Sequence, residues 1–317
     1  MDIVTLLVGL AALLVGADLL VKGAESTAIR AGVSPLVIGL TVVSFGTSLP
    51  ELVVTLVSGI QHKPDLAVAN VIGSNIANVL LVLGIAAMIR PLPVRDATVV
   101  SEIPFSLSAA LLVGFLANAA LFAPYPELTI SRLDGFILLF FFLLFMMYVY
   151  KVSSGDRADT GPSLQALTLP RTGTYLILGL VALYFGGGWV VGGATGLAAA
   201  WGVDDALIGL TVIAVGTSSP EIFTSAVAAY RNQADLAIGN AVGSNIFNLL
   251  LVLGSTAAIV ELPFEVISNT DLAMVIAASA LLILALAASR TNTVRRAHGA
   301  VFVVLYGLYV WYAIFRE

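Results

Sequence analysis

Glu51 and Glu221 each sit inside a long apolar run, behind two hydroxyl residues and a proline: Gly46-Thr47-Ser48-Leu49-Pro50-Glu51 and Gly216-Thr217-Ser218-Ser219-Pro220-Glu221. A carboxylate at membrane depth costs ~3 kcal/mol on insertion scales, so it marks a functional position by default. Oxygen-bearing residues recur around each glutamate at one spacing: Thr47 with Glu51, Ser74 with Asn78, Thr217 with Glu221, and Ser244 with Asn248 all lie four apart. Residues four apart share one face of a helix, so four segments can each turn two oxygen ligands toward a common axis. Gly and Pro beside the hydroxyls favour a break in the span, which would expose carbonyls, those of Ser44, Thr47, Ala214 and Thr217 being the candidates. Carboxylate, hydroxyl, amide and carbonyl oxygens suit hard cations such as Na⁺ and Ca²⁺. The chain has no Cys and only His62 and His298, which excludes thiolate metal sites and argues against a histidine-built one.

The two motifs belong to a longer repeat at a constant offset of 170 residues. Ile38-Gly39-Leu40-Thr41-Val42 matches Ile208-Gly209-Leu210-Thr211-Val212, Asp65-Leu66-Ala67 matches Asp235-Leu236-Ala237, and Gly73-Ser74-Asn75-Ile76 matches Gly243-Ser244-Asn245-Ile246. Gly23, Ala24 and Gly32 match Gly193, Ala194 and Gly202 in the same register. The chain therefore reads as two homologous halves.

The elements that must position these residues are membrane helices. The sequence is 59% hydrophobic and only 10% charged, far from the ~25% charged residues of a soluble domain. Ten apolar runs of the length a bilayer requires follow at roughly 2–27, 35–60, 66–88, 99–121, 130–152, 172–199, 205–230, 236–260, 269–289 and 297–315. The first lacks a basic n-region and is too long for a signal-peptide core, so it reads as a span. The expected fold is an all-α integral membrane protein: a five-helix repeat over 1–152, a linker over 153–171, and a second five-helix repeat over 172–317. Five spans per half return the second half from the opposite side of the membrane, so the repeats are inverted. Arg30, Arg90, Arg95, Lys151, Arg157, Arg171, Arg231, Arg290, Arg295 and Arg296 then fall on one side, against Lys63, Arg132 and Arg316 on the other. The positive-inside rule makes the rich side cytoplasmic, with the linker inside and both termini outside a cell (inner) membrane.

Glu51 and Glu221 carry a formal −2, which one Ca²⁺ neutralises and which two or more Na⁺ neutralise or slightly exceed. Two facing acids in a dry cavity need a cation between them. One site taken alternately by Ca²⁺ and Na⁺ is, physically, an antiporter.

The paired G-T-S-x-P-E and G-S-N-I-x-N elements in inverted halves resemble the two alpha repeats of the sodium/calcium exchanger family, within the wider cation/Ca²⁺ exchanger superfamily. The resemblance spans nearly the whole chain. It implies ten helices, a midplane site at the repeat interface, and alternating access by sliding of the first and sixth spans. By motif position it makes Glu51 and Glu221 shared Ca²⁺ ligands, assigns Thr47, Ser48, Thr217, Ser218, Ser74 and Ser244 to Na⁺ sites, and puts Asn78 and Asn248 between the carboxylates. Some relatives carry an acid where Asn248 stands, and potassium-dependent members rely on one there, so Asn248 argues against potassium coupling and leaves the stoichiometry open. Ser219, where the first repeat has Leu49, lies off the Thr217/Glu221 face and reads as neutral. The short linker implies a minimal, prokaryote-like transporter without the large calcium-sensing insert of animal members.

Na⁺/Ca²⁺ antiport is accordingly the expected function, with Ca²⁺/H⁺ antiport on the same scaffold as the alternative. The paired Thr-Ser hydroxyls favour Na⁺. A channel would not need an inverted repeat, and an enzyme built on Ser48 or Ser218 would need a base at membrane depth, whereas both histidines read as loop residues. The expected partners are Na⁺, Ca²⁺ and the lipid bilayer, with no cofactor, nucleotide or nucleic acid; a monomer is compatible with the repeat. Gly186-Gly187-Gly188 and Gly192-Gly193 lack the lysine of a phosphate loop and read as helix-contact glycines. Asp18 and Lys22 read as an ion pair one helical turn apart, and Phe140 to Tyr150 as a lipid-facing or packing surface.

Overall fold

The apolar runs become helices in the computed structural model, which describes residues 2–119, 128–155, 166–200, 214–264, 266–289 and 291–315. In chain order these are α1 (Asp2–Ala31), α2 (Pro35–Thr47), α3 (Leu49–Ile60), α4 (Pro64–Ile89), α5 (Asp96–Ala117), α6 (Arg132–Gly155), α7 (Leu169–Ala200), α8 (Ala214–Thr217), α9 (Ser219–Tyr230), α10 (Ala234–Ile259), α11 (Val266–Ala287) and α12 (Arg296–Phe315). Among the described residues, eight helices are long and apolar enough to cross a membrane, and α2 with α3, bent by 45° at Ser48, makes a ninth if the pair is one span. The run expected at 205–230 is described only from Ala214, as α8 and α9, and most of the 153–171 linker lies outside the described residues, as do Arg157, Arg290 and Arg316. His298, expected in a loop, is the third residue of α12, and its Nδ1 accepts from the Arg295 amide at 3.3 Å.

Local rules set the ends. Gly32 closes α1 in the left-handed region (φ +67°), letting the Val33 amide reach back to the Ala28 carbonyl at 3.1 Å, a Schellman-type cap. Pro35 and Pro64 start the next helices, where a missing N–H costs nothing. The turns after α3 and α9 are built alike: His62 (φ 56°) and Asn232 (φ 65°), 170 residues apart, both adopt the left-handed conformation.

The core is the pair α4 and α10: 94% of the most apolar stretch of α10 and 72% of that of α4 are buried, against 22–39% for the other long helices. α3 and α9 pack against them reciprocally, α3 reaching the second half of α10 and α9 the second half of α4. Four two-residue strands, not expected from the sequence, tie the halves together: β1 (Leu92–Pro93) pairs with β4 (Thr293–Val294), and β2 (Thr129–Ile130) with β3 (Leu262–Pro263), both antiparallel. β1 follows the C-terminus of α4 and packs beside α10, whose first turn bears the Asp235 that Arg95 meets at 2.7 Å. β3 follows the C-terminus of α10 and packs beside α4. The two pairings therefore lie at opposite ends of α10, a helix about 40 Å long at 1.5 Å per residue.

α1 and α7 run antiparallel along almost their whole lengths, on glycines spaced by seven in each helix: Gly9 faces Gly186 and Gly16 faces Gly179, while Gly23 lies against Leu176 and Gly193 against Leu6. A Cβ on Gly9, Gly16, Gly179 or Gly193 would lie 2.7–2.9 Å from a backbone atom of the other helix, so only glycine permits this approach. α1 is held to the α9–α10 turn by Asp18, which accepts from Lys22 at 2.7 Å, as expected, and also from Arg231. Two turns on from Asp18, Gln233 donates to Glu25 at 2.9 Å.

Candidate cation-binding site

The helix breaks fall where Gly and Pro place them. Ser48 (φ −86°, ψ 5°) and Ser218 (φ −84°, ψ 4°) leave the helical region at equivalent points, and Leu49-Pro50 and Ser219-Pro220 restart it. Each glutamate thus stands in the first turn of a new helix, where amide N–H groups still lack acceptors and a carboxylate is favoured.

Glu51 and Glu221 are both fully buried. The carboxyl groups are treated alike: Ser74 Oγ lies 3.5 Å from Oε1 of Glu51, and Ser244 Oγ lies 3.5 Å from Oε1 of Glu221. Links between halves complete the cluster. Ser48 donates to Oε1 of Glu221 at 3.2 Å, and Ser218 donates to Ser74 Oγ at 3.3 Å. Oε2 of each glutamate has no hydrogen-bond partner, and neither does either amide atom of Asn78 or Asn248, although these asparagines are buried to within 1%. Buried polar groups are almost always satisfied, and no Lys, Arg or His is buried among the described residues. Hard cations fit this set, because the unsatisfied atoms include two carboxylate and two amide oxygens.

Asn78 and Asn248 lie where α4 and α10 widen into π-helical turns, Asn78–Val82 and Phe247–Val252, a distortion frequent at functional sites. Thr47 bonds elsewhere, donating to Oδ1 of Asn240 at 3.1 Å. Thr217 is half-buried and lines a cavity of about 300 Å³ beside α7, with Pro50, Gly216, Pro220, Phe185 and Trp189. The Ser44 carbonyl, expected to be exposed by the break, accepts from the Ser48 amide at 2.9 Å and so stays in the helix ladder. The Ser44 hydroxyl instead joins α2 to α10, donating to the carbonyls of Gly239 and Asn240 at 3.2 and 3.0 Å. Ala214 opens α8. Ser219 makes a local bond to the Gly216 carbonyl at 2.7 Å.

Sequence reasoning passed over Asn70 and Asn240. Asn70 Nδ2 donates to Thr55 Oγ1 (2.9 Å) and to the Glu51 carbonyl (3.4 Å); Asn240 Nδ2 donates to Ser225 Oγ (2.9 Å) and to the Glu221 carbonyl (3.4 Å). Each asparagine therefore holds the backbone of a glutamate rather than its carboxylate. The signal was present, since Asn70 and Asn240 stand at the same 170-residue offset as the glutamates.

The family profile described as "Sodium/calcium exchanger protein" matches residues 1–151 and 173–315. This chain belongs to the sodium/calcium exchanger family. Among curated exchanger relatives, the sodium/calcium exchanger MaX1 of Methanosarcina acetivorans is 31% identical over 78% of this chain and 80% of its own. The inner membrane protein YrbG of Escherichia coli (strain K12) is 39% identical over 80% of this chain and 78% of its own. Among solved structures, the sodium-calcium exchanger NCX_Mj soaked with 2.5 mM Na⁺ and 1 mM Sr²⁺ superposes with a TM-score of 0.82 at 32% identity, covering 98% of this chain and 97% of that one.

Proposed function

We propose that this chain is a secondary active antiporter that exchanges Na⁺ for Ca²⁺ by alternating access at a site between its two glutamates. The observation that carries the reading is that Glu51 and Glu221, fully buried at equivalent points of two helix breaks, each keep one carboxyl oxygen without a partner, with no buried basic residue among the described residues to answer them. A formal −2 in a dry cavity calls for Ca²⁺ or Na⁺. The relatives support this: MaX1 is named a sodium/calcium exchanger, and NCX_Mj is a sodium-calcium exchanger soaked with Na⁺, Ca²⁺ and Sr²⁺.

Glu51 and Glu221 would be the Ca²⁺ ligands. Thr47, Ser48, Ser74, Thr217, Ser218 and Ser244 would serve Na⁺, with Asn78 and Asn248 between the carboxylates and the carbonyl of Ala214 at the margin. The architecture in this reading is two inverted five-helix repeats, 1–152 and 172–317, joined by a cytoplasmic linker in the inner membrane, with both termini outside. The reciprocal strand pairs at opposite ends of α10 favour inversion, and YrbG's description as an inner membrane protein favours that compartment. The glycine seam between α1 and α7 suits sliding of these helices past the rest, because small residues offer the least resistance to translation.

The test is ⁴⁵Ca²⁺ uptake into proteoliposomes loaded with Na⁺ or with choline, at fixed pH and clamped potential. Uptake that requires internal Na⁺ and disappears in Glu51→Gln/Glu221→Gln is the expected result. Uptake indifferent to Na⁺ and driven by a pH gradient would replace Na⁺ by H⁺ as the coupling ion.

A further inference from the structure

We propose that the Ser44 hydroxyl latches shut one access face of the site, the one along the first half of α10, and that the opposite face has no such latch. The proposal rests on the alternating-access reading above and adds which access state the chain favours. α2 widens into a π-helical turn at Gly39–Val43, directly ahead of Ser44. That turn seats α2 on the backbone of α10: a Cβ on Gly39 would lie 3.1 Å from the Gly239 Cα, and one on Gly243 would lie 2.9 Å from the Leu40 Cα. Ser44 is fully buried at this seam, and its hydroxyl lies within bonding distance of three carbonyls, Gly39 at 2.7 Å, Asn240 at 3.0 Å and Gly239 at 3.2 Å. The hold extends to the site, because the Asn240 side chain accepts from Thr47 and donates to the Glu221 carbonyl.

The opposite face, along the first half of α4, is built from the repeat counterparts and is not closed in the same way. Leu236, Gly239, Asn240 and Gly243 are all buried, whereas their counterparts Leu66 and Ala69 are exposed and Asn70 and Gly73 only half-buried. A Cβ on Gly73 would meet nothing within 4 Å among the described residues. The counterpart of Ser44 at the 170-residue offset is Ala214, which has no hydroxyl. A second fastening is one-sided too. Arg95 meets Asp235 at 2.7 Å, but the counterparts of this pair, Glu265 and Asp65, are both acids and form no ion pair with each other. The same bonds therefore cannot re-form when the two faces exchange roles, and the state closed along α10 and open along α4 is the favoured one. On the topology proposed above, the closed face is the cytoplasmic one.

The chain has no cysteine, so single reporters can be placed at repeat-related positions, Leu236→Cys on the closed face and Leu66→Cys on the open one. The full chain, in lipid nanodiscs that leave both membrane faces accessible, is treated with a water-soluble maleimide in saturating Ca²⁺. With Ser44 present, Leu66→Cys should label quickly and Leu236→Cys slowly. Ser44→Ala removes one hydroxyl and no backbone bond, and a hydrogen bond of ordinary strength shifts an equilibrium by about fivefold. Labelling of Leu236→Cys should therefore speed up by as much as about fivefold, while that of Leu66→Cys slows. Opposite movement at the two reporters separates a latch from a mere packing contact, whose loss would raise both rates. The double variant Ser44→Ala/Ala214→Ser carries the hydroxyl to the other half and should slow Leu66→Cys further. Unchanged labelling of Leu236→Cys in Ser44→Ala, or faster labelling at both positions, overturns the latch. Na⁺-independent ⁴⁵Ca²⁺ uptake by the wild type would overturn the Na⁺/Ca²⁺ reading and leave the latch standing.

Discussion

Ser48 Oγ lies 3.2 Å from Oε1 of Glu221, so a hydroxyl at the break in the first half of the chain satisfies the carboxylate at the break in the second. The bond leaves Oε2 of Glu221 as the atom without a protein partner, and Oε2 of Glu51 is left in the same way. Neutralising these groups separates folding from ion binding. Glu51→Gln and Glu221→Gln each remove a buried charge, which relieves the ion-free protein, while deleting a charged ligand. Thermal unfolding in detergent should show each variant at least as stable as wild type without Ca²⁺. Wild type should gain ~2.7 kcal/mol when Ca²⁺ is raised to 100 times its dissociation constant. The variants should gain little; an undiminished Ca²⁺ stabilisation in both would remove the carboxylates from the site.

Asn240 has no cation to bind in this scheme, yet it is fully buried and ties three groups: Ser225, the Glu221 carbonyl and Thr47. Asn240→Ala leaves those groups unsatisfied and should cost ~2–3 kcal/mol of stability. Asn70, half-buried, should cost about 1 kcal/mol as Asn70→Ala. Urea or thermal titration of the two variants checks the ranking.

The α1–α7 seam predicts a sharp contrast between glycines. Gly16→Val puts a side chain against the Gly179 carbonyl, where a Cβ alone would sit at 2.9 Å, and should abolish transport or folding. Gly173→Ala, on the same helix α7 but with nothing within 4 Å of its Cβ, should keep the wild-type uptake rate. Equal uptake by the two variants would show that the close approach is not needed.

Asp18 accepts from Lys22 and Arg231 together, at side-chain exposures of about one third. Such pairs contribute at most ~1 kcal/mol each and are screened by salt. Asp18→Asn should therefore loosen α1 from the α9–α10 turn, read as faster amide exchange around Arg231 at low salt, with the difference from wild type shrinking in 0.5 M salt, where the Debye length falls to ~4 Å.

Much of this protein is written in local pattern. Apolar runs of membrane length become helices because a backbone in hydrocarbon must bond to itself. Gly-Thr-Ser-x-Pro-Glu breaks a span because Pro removes a donor and Gly tolerates the bend. A constant offset of 170 residues announces two halves before any coordinate is known. Pairwise geometry across those halves was not legible. That Ser48 reaches Glu221 while Ser218 reaches Ser74, that Ser44 spends its hydroxyl on Gly239 and Asn240, and that Arg231 joins the Asp18–Lys22 pair are all contacts between residues more than 140 positions apart. Periodicity tells which face of a helix a side chain takes, but the partner across the gap depends on how two helices cross and how closely glycines let them approach. The sequence alone determined the chemistry available to the site; packing of α2, α4, α9 and α10 decided which oxygens satisfy one another and which two carboxylate oxygens remain without a partner.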